Sequence, residues 1–133
     1  MSLARAVAVV WGGDRVLVIK RHVEGRDYAV LPGGGVEAGE AAAAAVVREL
    51  REETSLQARV DRLLWTLEHD DRIASYFLMT DVSGTPLLSG PEAEAHCSEN
   101  SFELTWAPLD QLDLLNLQPV EIRRRLVEGT HAS

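Results

Sequence analysis

The sequence is short of several things that could hold a fold together or bind a polyanion. It has one cysteine, Cys97, in 133 residues. One cysteine cannot close an internal disulfide or build a cysteine zinc finger, and it suits a reduced, cytoplasmic setting. Basic residues are outnumbered, 13 Lys and Arg against 21 Asp and Glu, for a formal net charge of −8. That balance argues against binding double-stranded nucleic acid, which needs clustered cations. It leaves a phosphate substrate open, because a bound divalent cation reverses the local field. No apolar run approaches the roughly 20 residues of a membrane span. Ala6–Trp11 is too short for a signal-peptide core. His22, His69, His96 and His131 show no metal-ligand spacing.

What is present suits a folded chain. A hydrophobic content of 46% argues against disorder, and the length predicts one domain over 1–133. Two β-rich runs, Ala4–Trp11 and Arg15–Arg21, flank Gly12-Gly13-Asp14 and read as a hairpin. His22–Asp27 reads as a polar loop and Tyr28–Leu31 as a short strand stopped by Pro32. Gly33-Gly34-Gly35 predicts irregular backbone.

The spacing of Ala43, Val46, Val47, Leu50 and Thr54 predicts a helix over about 39–54. Gln57–His69 and Arg72–Thr80 read as strands around Asp70-Asp71, and Phe102–Trp106 as a last strand. Residues 81–101 form a long polar segment between them. Asp110–Leu115 and Pro119–Glu128 read as helices. Strands, a central helix, more strands and a C-terminal helix predict an α/β (α+β) layered domain with a mixed sheet. Trp11, Trp65 and Trp106 are expected to fill the core.

The informative stretch is 34–56. Glu49, Glu52 and Glu53 stand at i, i+3 and i+4, on one face of the helix. Like charges at that spacing repel, and the C-terminal end of a helix disfavours negative charge. A hard divalent cation with oxygen ligands would reverse both effects. A solvated helix face, with Arg48 and Arg51 as partial partners, is the plainer alternative for such a run.

The whole pattern resembles the Nudix hydrolase signature: Gly, five residues, Glu, seven residues, then Arg-Glu-apolar-x-Glu-Glu-x-Gly-apolar. Here it reads Gly34, Glu40 and Arg48-Glu49-Leu50-Arg51-Glu52-Glu53-Thr54-Ser55-Leu56, spanning 23 residues. Leu31-Pro32-Gly33, Glu37 and Gly39 also match the family's loop. The one departure is Ser55, where the family usually has Gly. That position follows the helix and favours a left-handed residue.

The resemblance implies an α/β/α sandwich with a central mixed β-sheet. It implies a hydrolase that cleaves a nucleoside diphosphate linked to another moiety, with Mg²⁺, or Mn²⁺ in its place, stabilising charge while water attacks phosphorus. By position, Gly34, Glu49, Glu52 and Glu53 would hold metal, and Glu52 or Glu53 would orient or deprotonate water. Arg48 would hold a signature carboxylate, and Glu40 would support the site. Members often draw a further carboxylate from outside the signature. Glu92, Glu94, Glu99 and Glu103 are candidates here, with Glu99 and Glu94 favoured. Arg5, Arg21 and Arg26 could contact phosphates and Tyr28 could stack on a base, although surface charge and sheet packing explain each of them as well. The short chain is similar to MutT-like members acting on (deoxy)nucleoside triphosphates. The alternatives are a dinucleoside polyphosphate, ADP-ribose or another sugar nucleotide, or a non-catalytic nucleotide-binding module. The base and the oligomeric state, a homodimer included, are not written in these motifs.

The excess charge is concentrated. Residues 37–53 carry a net of −3 and residues 81–103 a net of −5, so the rest of the chain is balanced. The acidity therefore sits in the signature and in the segment that supplies the extra glutamates.

Overall fold

Of the hairpin expected between Ala4–Trp11 and Arg15–Arg21 only the tip forms, around Gly13, whose left-handed φ of 67° tightens the reversal. A computed structural model describes residues 4–69, 71–87 and 100–128. In it β1 (Ala4–Val9) and β2 (Trp11–Gly12) run into β3 (Arg15–Val23). Trp11 pairs with Val16, and the Leu17 amide donates to the Val10 carbonyl at 2.9 Å.

Beyond that turn β1 and β3 part company, and the parting creates the cleft described below. β1 pairs with β5 (Gly33–Gly35) and, in parallel, with β7 (Arg72–Ser83). β3 pairs antiparallel with β4 (Arg26–Val30) and β8 (Asn100–Pro108). One sheet runs β5-β1-β7-β6, with β6 spanning Gln57–His69. The other runs β2-β3-β4-β9, with β9 at Leu117–Gln118 and β8 also on β3.

Strand alternation sends the two faces of these sheets into two cores. Val7, Val9, Val16 and Val18 pack with Ile122 and Leu126 of α2 (Glu121–Val127). Ala6, Ala8 and Leu17 pack with Ala45, Val46 and Leu50 of α1 (Ala42–Thr54). A helix on each side of mixed sheets is the expected α/β/α arrangement.

Several local expectations change. His22–Asp27 is not a loop: β3 runs on to Val23, and a reversal at Glu24 (φ 49°) and Gly25 (φ 81°) leads straight into β4. Gly33–Gly35 is a strand, and at Gly33 only glycine lets the backbone come this close to β1. A Cβ on Gly33 would meet Val7 Cα at 2.9 Å. Over 110–115 the chain makes a 3₁₀ turn at Leu109–Gln111 and then turns, not an α-helix. Ala43 is exposed and Ala45 takes its place inside. The three tryptophans sit half-buried at the core margins.

Candidate active site

The Leu31–Gly35 segment crosses α1 so that the glycine backbone meets the signature carboxylates. The Gly33 amide donates to Glu53 Oε1 at 2.8 Å. Glu53 is 7% exposed, an unusual position for a carboxylate. Gly34 lies against Glu49, and a Cβ there would collide with the Glu49 carboxyl. The first glycine of the signature thus lets the Glu49 carboxyl take this position.

Arg48 organises the acids around it. Its Nε and Nη2 donate to the two oxygens of Glu40 at 2.8 and 3.0 Å, a two-point pair. Nη1 donates to Glu49 at 3.0 Å and reaches Glu52 at 3.3 Å, and Nη2 also meets the Gly35 carbonyl at 3.1 Å. The hydrogen bond from Arg48, helped by one from the Glu37 amide, holds the Glu40 carboxyl down at about 2. The same bond to Glu40 raises the Arg48 guanidinium above its ordinary value. Arg48 is therefore a positioning residue, tying the Glu37–Glu40 turn to α1.

A cleft of about 320 Å³ opens where β1 and β3 separate. That volume falls within the range of small-molecule sites. Its floor is one face of three neighbouring strands: Ile19 and Arg21 of β3, Tyr28 and Val30 of β4, and Phe102 of β8. Its wall is Arg5, Leu31, Gly33, Gly34, Glu49 and Glu53. The cleft has a carboxylate end, where Arg5 pairs across from Gly35, and an aromatic end, where Arg21 lies between Tyr28 and Phe102.

Of the residues singled out in the sequence, Arg5, Arg21, Tyr28, Gly34, Glu49 and Glu53 line this one cleft. Glu52 does not line this cleft; its side chain is 52% exposed beside Arg48. Arg26 stands outside it, with its guanidinium 5.5 Å from the Tyr28 ring. Glu103 pairs with Lys20, one residue out of phase with Arg21 and Phe102, so it belongs to the opposite face of the sheet. Glu92, Glu94, Glu99, Cys97, His96 and His131 lie outside the described residues. Sequence reasoning missed Ile19, Val30 and Phe102 on the floor of the cleft, and Asn100, which meets it through Arg21. For Phe102 and Asn100 the only signal was alternation in β8, which cannot be placed without its register to β3.

Among the described residues no three acidic or imidazole side chains converge into a closed metal set. The reason is visible: Arg48 lies between Glu49 and Glu52 and neutralises both. The donors nevertheless suit a hard cation in kind, with the Glu49 and Glu53 carboxylates side by side against the Gly33–Gly34 backbone. The absence of a side chain on Gly34 lets the Glu49 carboxyl lie against the glycine backbone.

Comparison with known proteins agrees with this geometry. A family model described as the NUDIX domain matches residues 1–128. An ADP-ribose pyrophosphatase of Methanocaldococcus jannaschii is 38% identical over 87 residues, which are 61% of this chain and 52% of that protein. The match therefore spans about half the length of that curated relative. A MutT NUDIX hydrolase from Burkholderia pseudomallei superposes with a TM-score of 0.75 at 27% identity, covering 96% of this chain and 97% of that one. A MutT structure from work on Aliivibrio salmonicida and Vibrio cholerae gives 0.76 at 19% identity, covering 94% and 96%, and shows likeness of fold alone. With the matched domain model and the intact signature carboxylates, the chain belongs to the Nudix hydrolase family.

Proposed function

We propose that the chain, acting as one Nudix domain, is a Mg²⁺-dependent pyrophosphohydrolase of a (deoxy)nucleoside triphosphate or a related nucleotide. The observation that carries this reading is the two-ended cleft, with Glu49, Glu53 and the Gly34 backbone at one end and Arg21, Tyr28 and Phe102 at the other. A phosphate chain suits the first end and a nucleoside the second.

Glu49, Glu52, Glu53 and the Gly34 carbonyl would hold the cation, with Mn²⁺ as a substitute. When bound, a divalent cation neutralises phosphate charge and stabilises the charge that develops in phosphoryl transfer. Arg5, on the wall opposite Gly35, would pair with a phosphate oxygen. The Gly33 amide holds Glu53 in one orientation, in which its carboxylate would accept a hydrogen bond from an attacking water. Arg48 keeps Glu49 oriented while Glu40 anchors Arg48. A loop carboxylate, Glu99 first, is the proposed further base.

No helix among the described residues is long and apolar enough to cross a membrane. A reduced, cytoplasmic setting belongs to the same proposal and is supported by the single cysteine. ADP-ribose is the second reading, favoured by the name of the Methanocaldococcus relative. The test is release of phosphate or pyrophosphate from a panel of nucleotides, ADP-ribose included, with Mg²⁺ or Mn²⁺ and with EDTA. Metal-dependent release supports the proposal. Nucleotide binding without release from any substrate would overturn it in favour of a binding module.

A further inference from the structure

The aromatic end of the cleft has a polarity of its own. The Arg21 guanidinium lies over the Phe102 ring, with Cζ 3.9 Å from its centroid, and 5.7 Å from the Tyr28 ring. Stacking of this kind fixes the plane of the guanidinium and leaves its donors pointing within that plane. Asn100 fixes its rotation: Arg21 Nη2 donates to Asn100 Oδ1 at 2.6 Å. Nη1 donates to the Tyr28 hydroxyl at 3.3 Å. Because a guanidinium can only donate, the orientation of the Asn100 amide is settled by chemistry.

This arrangement is short of acceptors. A guanidinium has five N–H donors and no acceptor, and one hydrogen on each terminal nitrogen is engaged. Its Nε is buried with no hydrogen-bond partner among the described residues. The Tyr28 oxygen already accepts from Arg21, which leaves its hydroxyl hydrogen to donate. Arg21 can therefore offer the cleft only donors, and the Tyr28 hydroxyl hydrogen adds one more. Ile19 and Val30 lie one strand repeat nearer the Gly33 carboxylate end and pair with each other. They give an apolar floor between Arg21 and the acids, so a phosphate chain held at the acids leaves Arg21 to the organic part of the ligand.

We propose that Arg21, stacked on Phe102 and locked by Asn100, makes this end of the cleft a reader of nucleobases by their carbonyl edge. It favours guanine, uracil and thymine over adenine and cytosine. Guanine O6 and the O4 of uracil or thymine accept where adenine and cytosine present an amine. An amine facing this array would set donor against donor, and the buried groups would lose their partners. Guanine, with O6 and N7 side by side, matches a guanidinium best. Phe102 and Tyr28 add ring surface that every base can use, so the selectivity resides in Arg21. Asn100 is a positioning residue, acting through Arg21.

This inference rests on the nucleotide reading of the cleft, and calorimetric binding of nucleoside monophosphates keeps the two separable. The wild-type chain should bind GMP and UMP at least about 10-fold more tightly than AMP and CMP. The order of kcat/KM for GTP, UTP, ATP and CTP with Mg²⁺ should follow. Asn100→Ala should erase the preference between GMP and AMP. Asn100→Asp, which keeps an acceptor for Arg21, should restore it. Arg21→Lys should erase it too, because an ammonium lacks the planar fork. Equal affinity for the four monophosphates, or a preference untouched by Asn100→Ala, overturns the inference even if triphosphates are hydrolysed. Carbonyl-edge preference without hydrolysis of any nucleotide sustains the inference and overturns the catalytic proposal alone.

Discussion

Ser55 departs from the signature, and its backbone sits in the conformation for which the family uses glycine. Its φ and ψ are 66° and 5°, and its amide donates to the Arg51 carbonyl to close the end of α1. Holding an L-residue there costs on the order of 1–2 kcal/mol. Glycine removes that penalty and adds an entropy cost of roughly 0.5–1 kcal/mol on folding. The net stabilisation expected for Ser55→Gly is therefore about 0.5–1 kcal/mol. For a chain of this length that raises the melting temperature by about 2–5 °C. Ser55→Ala keeps the backbone penalty and serves as the control. Circular dichroism melts of the three proteins decide the matter, and hydrolysis should survive in both variants because Ser55 carries no ligand role. A melting temperature for Ser55→Gly equal to or below that of the wild type would refute the reasoning.

Gly34→Ala should fold and displace Glu49, since its Cβ and the flexible end of the Glu49 side chain would compete for one place. A Mn²⁺ titration of the variant should show weaker binding than in the wild type. Glu40, held at about 2 against an ordinary 4.5, contributes stability that is full above pH 4.5 and lost as pH falls towards 2. Urea melts of Glu40→Gln should show less of that acid loss. Burial pushes the Tyr76 hydroxyl up to about 12, with Glu121 adding to the rise and Arg5 opposing it. Its contribution is full below pH 10 and fades as pH rises to 12, so Tyr76→Phe should lose less stability across that window.

The carboxylate end of the site was legible in the sequence because its residues are local. Gly34, Glu40 and Arg48–Glu53 lie on one loop and one helix, and helical spacing alone brings the acids near each other. That spacing did not show Glu52 turned towards Arg48 while Glu49 and Glu53 face the cleft. Glu49 and Glu53 are one helical turn apart and share the cleft-facing side of α1, whereas Glu52 lies round the helix from them. The aromatic end was half legible. Arg21 and Tyr28 stood out as polar and aromatic residues near the signature, but Phe102 and Asn100 are about 80 positions from Arg21 and meet it only through the β3–β8 register. Registers between distant strands are set by tertiary packing, which one sequence does not display. The Gly33–Gly35 strand was hidden for a different reason. Glycine has little β-propensity, and here it is selected by the nearness of Ala6 and Val7 on β1.

The most direct test of the central claim is the initial rate of nucleotide hydrolysis by the wild type and by Glu53→Gln, each with saturating Mg²⁺ and with EDTA. If the buried carboxylate held by the Gly33 amide serves a metal-dependent reaction, EDTA should abolish turnover. Glu53→Gln should reduce it by at least ~100-fold, with a near-unchanged melting curve. Turnover by Glu53→Gln near the wild-type rate, or wild-type turnover indifferent to EDTA, would contradict the account.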